Sequence, residues 1–179
     1  MAANAVYSET QYTLELFPTE GNWDSYVAWL GGTDITLNNN NAGVDLYCVR
    51  DQMVCTSADA VLLDLGVKAR MTKNWSSCNY GSPVKRSDTC HFWLAPRSSI
   101  WKSGVRQANS LGVIDRSYRG VLMGAVLNNA SEPSHIKAGT RLFQVLAPDM
   151  GWISRVVLLP QSELDETLRG AGGFGSTGK

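Results

Sequence analysis

Between residues 63 and 71 apolar and polar positions alternate without a break, with Leu63, Leu65, Val67, Ala69 and Met71 set against Asp64, Gly66, Lys68 and Arg70. Side chains of an extended chain point alternately to opposite faces, so this stretch predicts a strand with one face buried. Shorter runs of branched or large apolar residues occupy 13–17, 45–49, 120–127, 141–146 and 154–159, each bounded by Gly, Pro, Asn or Ser. Many short strands separated by turn residues predict an all-β, antiparallel sandwich or barrel. One short helix is expected after Pro96, running through Ser98, Ser99, Ile100, Trp101 and Lys102 to about Gly104, with Ser98 or Ser99 as its cap.

Two stretches interrupt this pattern. Residues 18–41 are polar, rich in Gly and Asn, and hold Trp23 and Trp29, while 72–89 carries Ser, Asn, Gly, Pro and three basic residues. Both read as surface loops or excursions inserted into a domain spanning 1–168. The tail 169–179, RGAGGFGSTGK, has too little apolar content to fold alone and is expected to be a flexible arm.

At 179 residues, one core-forming domain with extensions is the natural organisation. Sixteen basic residues balance sixteen acidic ones, so overall charge draws the chain to neither nucleic acid nor an anionic membrane. No apolar run nears the roughly 20 residues that span a bilayer, and residues 1–11 do not resemble a secretion signal. An intracellular location, cytoplasmic or nuclear, is therefore expected, with Cys48, Cys55, Cys78 and Cys90 as reduced thiols. Cys78, Cys90 and His91 have zinc-ligand chemistry but lack a nearby fourth ligand. Trp75, Trp93, Trp101 and Trp152 read as packing residues. His91 and His135 read as structural, with no placed serine or cysteine to form a hydrolytic triad.

Three features point to a phosphorylated ligand. Arg97, Ser98 and Ser99 open the expected helix, where free N–H groups and a guanidinium suit an anion; the same residues also suit an ordinary serine cap. The tail combines Arg169, five glycines, Phe174, Ser176 and Thr177. Its backbone and hydroxyls can wrap phosphate while the ring stacks on a base, although a disordered polar tail has the same composition. In LGVIDRSYRG, 111–120, a hairpin would present Asp115 and Tyr118 at its rim, beside backbone groups able to read a base edge. A plain hairpin with a polar tip is the alternative. The tail does not match GxxxxGK[ST], so a P-loop enzyme is not supported.

With two further stretches these segments resemble the five ordered motifs of trimeric dUTPases: AGVDLYC (42–48), APRSS (95–99), NSLGVIDRSYRG (109–120), AGTRLFQVL (138–146) and RGAGGFGSTG (169–178). The resemblance covers most of the chain from Ala42 onward. It implies a jelly-roll or β-barrel fold of the β-clip type, assembled as a homotrimer with active sites between subunits. It also implies hydrolysis of dUTP to dUMP and pyrophosphate with Mg2+. By that likeness, Asn109, Gly112, Val113 and Ile114 would hold uracil, and Tyr118 would pack on deoxyribose and exclude a 2′-hydroxyl. Asp115 would activate the water that attacks the α-phosphate. Arg97, Ser98, Ser99 and Gln144 would bind phosphate or position water, and Asp45 would lie near the arm arginine and the metal's water shell. Phe174 would cover the base, with Arg169, Gly175, Ser176 and Thr177 near the phosphates. Family magnesium is held mainly by triphosphate and water, so no dedicated protein cage is expected.

Ser99, Thr140 and Phe143 depart mildly from the usual motifs, and the segments before Ala42 and between Met71 and His91 are longer than the family norm. Two other readings remain. One is a dCTP deaminase of the same fold, against which the complete arm GGFGSTG speaks. The other is a non-catalytic, nucleotide-sensing relative, against which Asp115, Tyr118, Gln144 and the arm speak together.

Overall fold

The computed structural model describes residues 10–57, 59–79 and 82–173, leaving out the side chains of 77–79 and 82–84. The chain opens with β1 (Gln11–Pro18), a helix α1 (Trp23–Leu30), β2 (Asp34–Thr36), β3 (Gly43–Leu46) and β4 (Gln52–Val54). It continues through β5 (Val61–Asp64), β6 (Val67–Asn79), β7 (Ser82–Cys90) and β8 (Phe92–Pro96). The last strands are β9 (Val105–Gln107), β10 (Gly112–Ile114), β11 (Met123–Asn128), β12 (Ser134–Ile136), β13 (Phe143–Leu146) and β14 (Ile153–Leu158). They form sheets ordered β2-β14-β1-β6-β7, β10-β8-β13-β3, β5-β11-β9 and β12-β4. The all-β expectation holds, but pairing is not purely antiparallel, because β1 and β14 run parallel.

The alternation at 63–71 correctly marks one buried face, since Leu63, Leu65, Val67, Ala69 and Met71 are all buried. It does not mark one strand. The chain leaves β5 at Asp64 and enters β6 at Val67, and these strands belong to different sheets. Gly66 makes the corner at φ +62°, where a Cβ would also lie 2.3 Å from a Val49 methyl. Only glycine meets both demands cheaply.

Both stretches carry regular elements among their described residues. Within 18–41, Trp23, Tyr26, Val27 and Leu30 recur at helical spacing, and α1 turns this stripe onto the core. Tyr26 is fully buried, donates from its hydroxyl to Leu65 O at 2.6 Å, and packs 4.7 Å from Tyr47. Its burial contributes on the order of 1.5–3 kcal/mol. Residues 72–79 and 82–89 lie in the long β6 and β7 strands, which pair from Met71↔Cys90 to Asn79↔Ser82. Cys78 therefore sits seven residues along β6 from the partner of Cys90, or roughly 20 Å by strand rise.

The short helix expected after Pro96 is present as a 3-10 turn. Ile100–Ser103 form one 3-10 turn closed by Gly104, and Ser99 caps it without a side-chain hydrogen bond. Trp101 is 70% exposed, which corrects its reading as a packing residue. Among the described residues no helix is long and apolar enough to cross a membrane.

Candidate active site

Register builds the first half of the site. Gln144 on β13 stands opposite Asp45 on β3 and Ala95 on β8, so three of the recognised motifs end together. Arg97 Nε lies 2.8 Å from Asp45 Oδ1, and Arg141 Nη1 lies 3.2 Å from Asp45 Oδ2. The Arg97 backbone N–H donates to Leu142 O at 2.8 Å, which holds the guanidinium at the rim. Gln144 Nε2 donates to Pro96 O at 3.3 Å. Ser98 lines the same cleft of about 600 Å³, and Trp29, Leu30, Asn38 and Asn41 wall its far side. Two guanidiniums around one carboxylate leave an excess positive charge, the electrostatics of an anion site. Ser99 is half-buried and does not line this cleft.

The second half lies at the other end of β8. There Gly112, Val113 and Ile114 pair with Leu94, Trp93 and Phe92. Asp115 and Tyr118 follow in a turn closed by the Tyr118 N–H to Asp115 O bond at 2.9 Å. This turn carries the chain from β10 to β11 in another sheet, so it is a crossover and not the tip of a hairpin. Gln107, Asn109, Gly112, Val113, Ile114, Asp115, Tyr118 and Arg169 line a cleft of about 220 Å³. Tyr118 donates to Val121 O at 3.0 Å, and burial pushes its phenol up, so the hydroxyl stays neutral.

The start of the arm is laced onto this turn. Arg119 is buried and donates to Arg116 O at 2.7 Å, to Tyr118 O at 2.9 Å and to the Asp165 carboxylate at 3.0 Å. The hydrogen bond from Arg119 holds the Asp165 carboxyl below the usual carboxylate range. Arg119 N–H also donates to Gly170 O at 2.8 Å, and Thr167 Oγ1 donates to Ser117 O. Arg169 thereby reaches Asp115, pairing Nη1 with Oδ2, while its guanidinium sits 6.0 Å over the Tyr118 ring. Phe174, Gly175, Ser176 and Thr177 lie outside the described residues.

One expectation needs correction, and two features of the single chain bear on the others. Within one protomer Asp45 pairs with Arg97 and Arg141, while Arg169 pairs with Asp115. His91 is not merely structural: its Nδ1 lies 3.2 Å from Asp115 Oδ1 and also accepts the Arg116 N–H at 3.3 Å. The β8 strand also holds the two halves apart. From His91 beside Asp115 to Arg97 beside Asp45 are six residues of extended chain, roughly 20 Å. Arg141, Arg119 and Gln107 escaped the sequence reading; the first two lie inside recognised motifs, while Gln107 had no local signal.

A family model described as dUTPase matches residues 35–178. A deoxyuridine 5'-triphosphate nucleotidohydrolase of Rickettsia massiliae (strain Mtu5) is 31% identical over 140 residues, covering 78% of this chain and 83% of that protein. The namesake of Desulfitobacterium hafniense (strain DSM 10664 / DCB-2) is 48% identical over 77 residues, 43% of this chain and 49% of the relative. The crystal structure of dUTPase from Streptococcus mutans aligns with TM-score 0.47 and 23% identity, over 75% of this chain and 88% of that one. With most of its length matched by the family model, this chain belongs to the dUTPase family.

Proposed function

We infer that this chain hydrolyses dUTP to dUMP and pyrophosphate, at a site completed by a neighbouring copy of itself. The observation that carries the assembly is the roughly 20 Å of β8 between the Asp115 cleft and the Arg97 cleft. A triphosphate whose α-phosphate stays beside Asp115 cannot reach a grip that far away. Two such chains, turned so that one Asp115 cleft faces another's Arg97 cleft, unite them, and repetition about a three-fold axis gives a homotrimer.

In this reading the 220 Å³ cleft takes uracil and deoxyribose, and the larger one takes the triphosphate. Asp115 Oδ accepts a proton from water as the water oxygen bonds to the α-phosphorus. The bond from that phosphorus to the bridging oxygen breaks, and pyrophosphate leaves with the electron pair. Arg97, Ser98 and Gln144 then face the developing charge. Arg169 first has to release Asp115, because a carboxylate clasped by a guanidinium is a weaker base; the incoming triphosphate supplies the competing anion. The barrel of 1–168 carries both clefts, and 169–179 is the closing arm.

The donor set fits a magnesium ion carried in on the substrate. Among the described residues no three carboxylates, histidines or cysteines converge to hold a metal, and Asp45 offers one carboxylate at the phosphate cleft. Asp45 would hold the ion through its water shell. Bound there, magnesium would neutralise charge on the phosphates.

Incubating the purified protein with each deoxynucleoside triphosphate, with magnesium or with chelator, tests this reading. Magnesium-dependent release of dUMP and pyrophosphate from dUTP alone is expected. Deamination of dCTP would favour the deaminase reading, and tight dUTP binding without turnover the nucleotide-sensing one. Tyr118→Ala should reduce the preference for dUTP over UTP by about tenfold or more, as loss of a wall against the 2′-hydroxyl requires. An unchanged preference in competition assays would remove Tyr118 from that role.

A further inference from the structure

Gln107 ends β9 with 7% of its surface exposed, beneath the cleft that holds Asp115 and Tyr118. Its Nε2 donates to Leu94 O at 3.3 Å and to Asn109 Oδ1 at 2.9 Å. Both amide N–H bonds are thereby used. Leu94 O is a main-chain carbonyl that can only accept, so it forbids the flipped amide, which would set two oxygens against each other. With Gln107 fixed, Asn109 is fixed in turn. Its oxygen faces Gln107, and the Nδ2 donors of this exposed residue are left for the cleft.

The other end of the Gln107 amide is as informative. Oε1 is buried and, among the described residues, has no hydrogen-bond partner. A buried acceptor left unpaired costs about 1–3 kcal/mol, so the amide keeps this orientation because Leu94 O and Asn109 Oδ1 both claim its donors. Tyr47 Oη and Trp152 Nε1 share that condition, but only Gln107 lines the Asp115 cleft. Gly112 makes room for this arrangement: a Cβ there would lie 3.0 Å from Leu94 O and 3.8 Å from Gln107 Nε2.

We propose that Gln107 is a positioning residue for base selection: by holding Asn109 Oδ1 it fixes Asn109 Nδ2 as a donor toward the cleft, which sets the cleft to receive uracil and refuse cytosine. The inference rests on the dUTP reading above. Uracil offers a donor at N3–H and an acceptor at O4, whereas cytosine presents an acceptor at N3 and a donor amine at C4. A donor fixed at Asn109 Nδ2, meeting the base directly or across one ordered water, matches O4 of the first and opposes the amine of the second. Because the polarity traces back to a main-chain carbonyl, it cannot be reversed by rotating a side chain.

Steady-state kcat/KM for dUTP and for dCTP, measured on wild type, Gln107→Leu and Asn109→Ala, tests this together with thermal melting. For Gln107→Leu the ratio of the two kcat/KM values should fall by about 10- to 100-fold, mainly through a higher KM for dUTP. The double variant should lose no more than the larger single effect, since the two residues act as one relay. Equal losses on both substrates, or additive losses, would overturn the proposal. If Gln107→Leu fails to fold, the exposed Asn109→Ala carries the test: a lowered ratio supports the relay and an unchanged ratio overturns it. A wild type without dUTP hydrolysis would overturn the functional reading as well, whereas an active wild type with ratio-preserving variants would overturn this inference alone.

Discussion

Asp115→Asn is expected to lower kcat for dUTP by at least ~10², the low end of what a general base contributes, with little change in affinity for the nucleotide. Asparagine keeps the shape of the side chain. Its oxygen can still accept from Arg169 and its amide can donate to neutral His91 Nδ1, so the contacts that position the turn survive. What disappears is a group able to take a proton from water. Stopped assays for pyrophosphate, with binding of a non-hydrolysable dUTP analogue measured in parallel, separate the two effects. Turnover within tenfold of wild type would remove Asp115 from the role of base.

Ending the chain at Leu168 should reduce kcat/KM for dUTP by about 10³ or more, the scale at which an arginine acts on a triphosphate transition state. The cut removes Arg169, which lies beside both Asp115 and the Tyr118 ring, and with it the segment that would close over the nucleotide. It should leave the barrel intact, because the core cluster ends at Leu158 and Arg119 keeps its bonds to Arg116 O, Tyr118 O and Asp165. Size-exclusion chromatography and thermal melting should therefore match the full chain. A truncated protein retaining more than a tenth of the activity would end the closing-arm argument.

Much of this molecule is legible in one dimension. Period-2 burial from Leu63 to Met71 marked a core face correctly, because side-chain alternation is local geometry. The residues of the five motifs were identified without coordinates, since their chemistry and order suffice for a likeness. The helical stripe Trp23, Tyr26, Val27 and Leu30 was equally readable, yet the surrounding Gly and Asn masked it. The β6–β7 strand pair was harder: its Ser, Asn and Lys residues have weak strand preference, and the cross-strand ladder that orders them appears only once two distant stretches pair.

By itself, the sequence marked candidate residues with the chemistry to bind a nucleotide and predicted short strands to carry the segments between them. Only the tertiary structure decided which of them meet. Sheet register set Gln144 opposite Asp45, while the length of β8 sent Asp115 away from Arg97. It also brought His91 to Asp115, Arg169 to the same carboxylate and Gln107 to Asn109. The physical reason is that strand position and hydropathy depend on near neighbours, whereas an ion pair or a fixed amide depends on groups that only the folded backbone brings within about 3 Å.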